Sequence, residues 1–107
     1  MLTYVSPDRF PDKPMTLRAL ADGDYAVMID GLTAGRIVRA DLPGLRIAWR
    51  WSITGPYCGD FGLAISGDAV DLAAARRALR ASFDGWLVWA AKQPGTVAWH
   101  GHANPPP

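Results

Sequence analysis

The stretch Arg46-Ile47-Ala48-Trp49-Arg50-Trp51-Ser52-Ile53-Thr54 places Ile47, Trp49, Trp51 and Ile53 on one face of an extended chain and Ala48, Arg50, Ser52 and Thr54 on the other. Successive side chains point to opposite faces of a strand, so the pattern predicts a β-strand with one buried face. Two tryptophans on that face mark the expected centre of the core, because an indole buries more area than any other side chain. The opposite face is small and polar, with a single arginine.

Toward the N-terminus, Asp41-Leu42-Pro43-Gly44 reads as a turn and Arg36-Ile37-Val38-Arg39-Ala40 as the strand before it. Asp30-Gly31 and Gly35 bracket an earlier turn. Tyr25, Val27 and Ile29 share a face of another strand, which Asp22-Gly23 joins as a two-residue hairpin to a short strand over Met15 to Leu20. Toward the C-terminus, Gly55-Pro56 ends the tryptophan strand, and Phe61, Leu63 and Ile65 alternate with Gly62, Ala64 and Ser66 in a last strand. Connections this short imply an antiparallel meander.

Asp68 reads as the N-cap of a helix beginning at Ala69, with Asp71 in its first turn where negative charge suits the helix dipole. Leu72, Ala75, Leu79, Phe83, Trp86 and Ala90 recur at helical spacing and form one apolar stripe, while Arg76, Arg77, Arg80 and Asp84 occupy the opposing side. Pro94-Gly95 stops the helix. About 23 residues span roughly 35 Å, enough to cross a small sheet once. The expected fold class is therefore α+β: an antiparallel four- to five-stranded meander sheet packed by one long C-terminal α-helix.

Pro7, Pro11 and Pro14 make residues 1–14 an expected irregular N-terminal arm, residues 15–93 form a single α+β domain, and residues 94–107 form a Pro-rich, loosely attached C-terminal tail. The second face of the sheet carries Ala26, Met28, Ala48, Arg50, Ser52 and Thr54. It is flat, and the arm or a second copy of the chain could cover it.

At 107 residues, half of them hydrophobic, the chain is long enough to bury one modest core. Its one cysteine, Cys58, excludes an internal disulfide. The apolar run Trp86 to Ala91 is far shorter than the roughly 20 residues that cross a bilayer, and no signal peptide is apparent. A bacterial, cytoplasmic protein without a membrane span is expected. The acidic residues are all aspartate and most basic residues are arginine, a bias typical of a GC-rich genome. Charge is uneven, with a net −2 over residues 1–35 and +3 over residues 36–58, but the whole-chain balance of +1 argues against a strong nucleic-acid binder.

His100-Gly101-His102 alternates as metal ligands can, with Cys58 or Asp60 to complete a set, but the spacing matches no zinc pattern and both histidines read as surface residues. The segment Gly55 to Asp60 lacks the lysine and hydroxyl of a phosphate-cradling loop. With no glutamate in the chain and the aspartates mostly in turns and caps, no paired-carboxylate site is apparent. No catalytic, cofactor-binding or metal-binding residue is assigned and no cofactor is expected.

Three antiparallel strands followed by a helix, over residues 35–84, resemble in element order the plant-type APETALA2 and integrase-arm DNA-binding domains, whose sheet arginines and tryptophans contact DNA. That resemblance implies a nucleic-acid surface of Arg36, Arg39, Arg46 and Arg50. The turn Asp41-Leu42-Pro43-Gly44 resembles that of HicB-type antitoxins, although here a further segment over residues 53–66 separates it from the helix. The layout Gly35-Arg36-Ile37, then Trp49 to Gly55, then a small-residue strand and a helix is similar to that of small bacterial proteins without an assigned activity. Trp89 and Trp99, beside and beyond the helical stripe, add aromatic surface of the kind that marks protein contacts; the local reading is that Trp99 folds back over Trp86 or Trp89. The sequence thus predicts a small non-enzymatic binding module acting through protein contacts or homodimerisation, with weak nucleic-acid binding through the sheet arginines as the alternative.

Overall fold

A computed structural model describes residues 2–44, 46–57 and 64–100. Strands β1 (Leu2–Val5), β2 (Met15–Ala21), β3 (Asp24–Ile29), β4 (Leu32–Leu42), β5 (Arg46–Ile53) and β6 (Ser66–Ala69) precede helix α1 (Leu72–Ala90), and β7 (Val97–His100) follows it. Strands β2 to β6 form a five-stranded antiparallel meander in chain order, packed against α1 as the sequence predicts, and β1 pairs with β7 in a separate two-stranded ladder. No described helix is long and apolar enough to cross a membrane.

The turn chemistry decides the registers. Asp30 and Gly31 both take positive φ, 50° and 79°, the geometry of a two-residue hairpin whose twist matches the flanking strands. β4 therefore starts at Leu32, and Gly35 lies inside it rather than bracketing the turn. One extra residue in β4 opposite Val27/Met28 makes a bulge there, and the freed Ala34 carbonyl accepts from the Thr54 and Gly55 amides. Gly35 sits where the helix comes closest: a Cβ there would meet the Ser52 carbonyl and lie 2.8 Å from a Leu79 methyl.

Three expectations about the ends of elements are corrected. First, the helix does not begin at Ala69 but at Leu72, because Ser66–Ala69 is the edge strand, with Arg50 opposite Asp68 and Trp49 opposite Ala69. Both Asp68 and Asp71 have the side chain a cap needs; Asp68 instead bridges to Arg50 across the ladder, and Asp71 accepts from the Ala74 amide at 2.7 Å. Of the strand expected over residues 61–66, residues 61–63 lie outside the described residues and Ser66 falls in β6. Second, residues 1–14 are not wholly irregular. Their first residues form β1, a 3-10 turn follows over Pro7–Arg9, and Phe10 is fully buried. Third, the C-terminal segment is not loosely attached through His100, because β7 pairs with β1 on one side and exchanges hydrogen bonds with Gly55 and Tyr57 on the other.

The predicted stripe holds. Ala75, Leu79, Phe83, Trp86 and Ala90 are buried, joined by Ser82, whose hydroxyl donates to the Ala64 carbonyl. Along β5 burial declines from Ile53 and Trp51 through half-buried Trp49 to Ile47, which is 53% exposed, so the tryptophan face is core at one end only. The aromatic centre lies elsewhere. Phe10 stacks on Trp99 at 5.2 Å between ring centroids, and Phe83 and Trp86 meet both of these rings edge-on or tilted at 5.6–6.2 Å. This cluster ties arm, helix and C-terminal strand into one core.

Deleting a buried aromatic ring ordinarily costs about 3–5 kcal/mol. Phe10→Ala is therefore expected to lower the free energy of unfolding in urea by that amount, whereas a loss under about 1 kcal/mol would show that the arm does not belong to the core.

Candidate binding groove

The register sorts the arginines predicted as a binding surface. Arg36, Arg46 and Arg50 fall on the sheet face remote from the helix, and Arg39 falls on the helix side opposite Trp49. They do not form one groove. Arg36 makes a two-point contact to Asp24, its Nε donating at 2.8 Å, and Arg50 Nε donates to Asp68 at 3.0 Å. Arg39 reaches Asp22 at 3.5 Å, leaving Arg46 as the member of the set without an ion pair among the described residues. The arm packs on the helix side through Phe10, so it does not cover this face.

Trp99 is 1% exposed and belongs to the aromatic cluster, 5.8 Å from Trp86 between ring centroids, so the local reading of it is the one observed. Trp89 is half-buried and lines a small cleft of about 350 Å³ with Tyr57, Gln93, Pro94 and Val97. Among the described residues no His, Cys, Asp and Glu group could hold a metal; Cys58, Asp60 and His102 lie outside them.

A larger concave surface than this cleft lies on the other side of the helix. A helix is about 10–12 Å wide, and five strands spaced about 4.8 Å apart are nearly twice that. α1 lies over β4, β5 and β6, which leaves the β2 side of the sheet uncovered. A groove of about 710 Å³ opens there. Its apolar lining is Pro14, Met15, Ala73 and Ala81, with buried Val27 beneath. Its rim is cationic: Lys13, Arg76, Arg77 and Arg80, against one carboxylate, Asp84.

These rim groups are not equivalent. Arg80 is committed, with Nε 3.1 Å from Asp84, Nη1 donating to the Lys13 carbonyl at 3.1 Å, and its guanidinium over the Phe83 ring. It acts as a strut that holds the arm to the helix. Arg76 reaches the Met15 carbonyl through one nitrogen at 3.5 Å. Arg77 has no ion pair among the described residues, and Lys13 makes no close one although its charge acts on Asp30. The sequence reading placed Arg76, Arg77 and Arg80 on the polar side of the helix but assigned them no site. Their close spacing was the only signal, and it is also what an ordinary solvated helix face looks like.

No protein-family model matches the chain, and no curated protein or solved structure matches it.

The ion pairs away from the groove carry a pH dependence. Hydrogen bonds from the Arg36 guanidinium hold Asp24 below its ordinary value of 3.8 against desolvation, and Arg9 does the same for Asp30 in the β3–β4 turn, where Nε lies 2.7 Å from the carboxylate. Both carboxylates bind protons less readily when folded, so their stabilisation is complete above pH 3.8 and is lost as pH falls through their lower folded values. Asp24→Asn/Asp30→Asn is expected to unfold at lower urea than the parent protein at pH 7, with the gap closing below pH 3.8; a gap constant with pH would contradict this assignment.

Proposed function

We propose that the protein is a small non-enzymatic binding module that acts through protein contacts, and that the groove between α1 and β2 is its contact surface. The observation that carries this reading is the pairing of an apolar floor with a rim of cations that are only partly neutralised. Such a concavity offers buried area for affinity and a few charged groups for orientation, the usual composition of a recognition site. Asp84, the carboxylate among the lining residues, is engaged by Arg80, so the groove offers binding groups rather than a free acid and base.

Protein contact is preferred to nucleic-acid binding through the sheet for two reasons. Arg36 and Arg50 sit in ion pairs with Asp24 and Asp68, and Arg39 points to the opposite side. A phosphate backbone is held by cations free to release counterions, and these are already matched. The reading includes both a separate protein and self-association.

Selection of random peptides on the immobilised protein tests it. Enriched peptides are expected to lose binding to Ala73→Trp, which fills the groove from an exposed helix position without touching the core. No enrichment, or enriched peptides indifferent to that substitution, would overturn the assignment. Light scattering then separates the two forms of contact: a dimer that Ala73→Trp dissociates indicates self-association, and a monomer indicates a separate partner.

A further inference from the structure

We infer that the groove takes an acidic segment of a partner protein, with an apolar side chain against Met15 and flanking carboxylates against Lys13, Arg76 and Arg77. The inference rests on the groove being a protein-contact site and adds the chemistry of the partner.

Charge fixes the sign of the ligand. With Arg80 matched by Asp84 and the charge of Lys13 shared with Asp30 outside the groove, the rim retains Arg76 and Arg77 without an opposing carboxylate among the lining residues. Arg76 spends one nitrogen on the Met15 carbonyl and keeps the remainder of its donor fork. Arginine and lysine stems can lie along the apolar floor while their heads meet carboxylates at the rim. The floor separates an acidic peptide from a single-stranded nucleic acid. Bases bind on aromatic platforms, and no aromatic residue lines the groove among the described residues. Alkyl groups from Pro14, Met15, Ala73 and Ala81 suit a leucine or valine side chain instead.

The test is fluorescence anisotropy at low salt with a labelled seven-residue peptide: one leucine flanked on each side by three acidic residues, both ends capped. The expected result is saturable binding that weakens as salt rises. Replacing the acids by their amides should weaken it at least tenfold, and leucine to serine severalfold. Arg76→Gln/Arg77→Gln should lose at least fivefold in affinity with an unchanged melting temperature, Lys13→Gln should lose severalfold, and Arg46→Gln, remote from the groove, should bind as the parent does. Equal binding of the amide peptide, or full affinity in the double variant, would overturn the inference. So would tighter binding of a ten-nucleotide oligothymidylate lost in the same variant. If selected peptides occupy the groove but carry no acidic residues, this inference fails while the protein-contact reading stands; if no peptide occupies it, both fail.

Discussion

The width of one helix set against the width of five strands is the constraint from which most of this structure follows. Each face of a sheet that carries apolar side chains has to be buried, and a cylinder about 10–12 Å across cannot cover nearly 20 Å of strands. The meander places its longest pair, β4 and β5, under the helix, and β6 extends the covered side. What remains must be closed by other parts of the chain or left open. Both happen: the termini close one end, and the groove opens at the start of β2.

The closing is done by aromatic residues that lie far apart in sequence. Phe10 and Trp99 stack on one another and meet Phe83 and Trp86 of the helix, so the termini contribute two of the four rings. The β1–β7 ladder holds them in place, and the Tyr57 and His100 amides extend the pairing to the segment after β5. Arg9 adds a second tether, bonding both the side chain and the carbonyl of Asp30 in the β3–β4 turn. The Trp86 indole nitrogen is buried with no hydrogen-bond partner among the described residues. An unpaired buried N–H is costly, which implies that ring packing in this cluster outweighs it.

Local features were legible in the sequence and distant ones were not. Asp22-Gly23 and Asp30-Gly31 announced hairpins because the backbone they need is one those residues adopt with little strain. The stripe from Ala75 to Ala90 announced the buried side of the helix because its period is fixed by helix geometry. The helix start was misread because Asp68 and Asp71 offer the same capping chemistry, and the choice is made by the open edge of β5 and by Arg50, neither of which is local. Phe10 and Trp99 lay in segments whose prolines and glycines suggested irregular chain. Nothing in either segment shows that they pair. The groove was invisible for the same reason: its rim lies on an arm, a strand and a helix, and only the helix arginines were visibly grouped.

The distribution of charge follows from the same geometry. On the remote sheet face, strands bring residues of opposite sign within one rung or one diagonal, so Arg36 finds Asp24 and Arg50 finds Asp68. On the uncovered side of the helix Arg76 reaches the Met15 carbonyl at the start of β2, and Arg77 makes no ion pair among the described residues. A chain with a net charge of only +1 thus places cations without a close ion pair, Arg76 and Arg77, beside apolar surface that is incompletely covered. Each deficit alone is ordinary in a small domain, since single arginines are solvated and scattered apolar atoms are common on surfaces. Their coincidence in one concavity gives the groove a specific chemical complement, an apolar side chain among carboxylates.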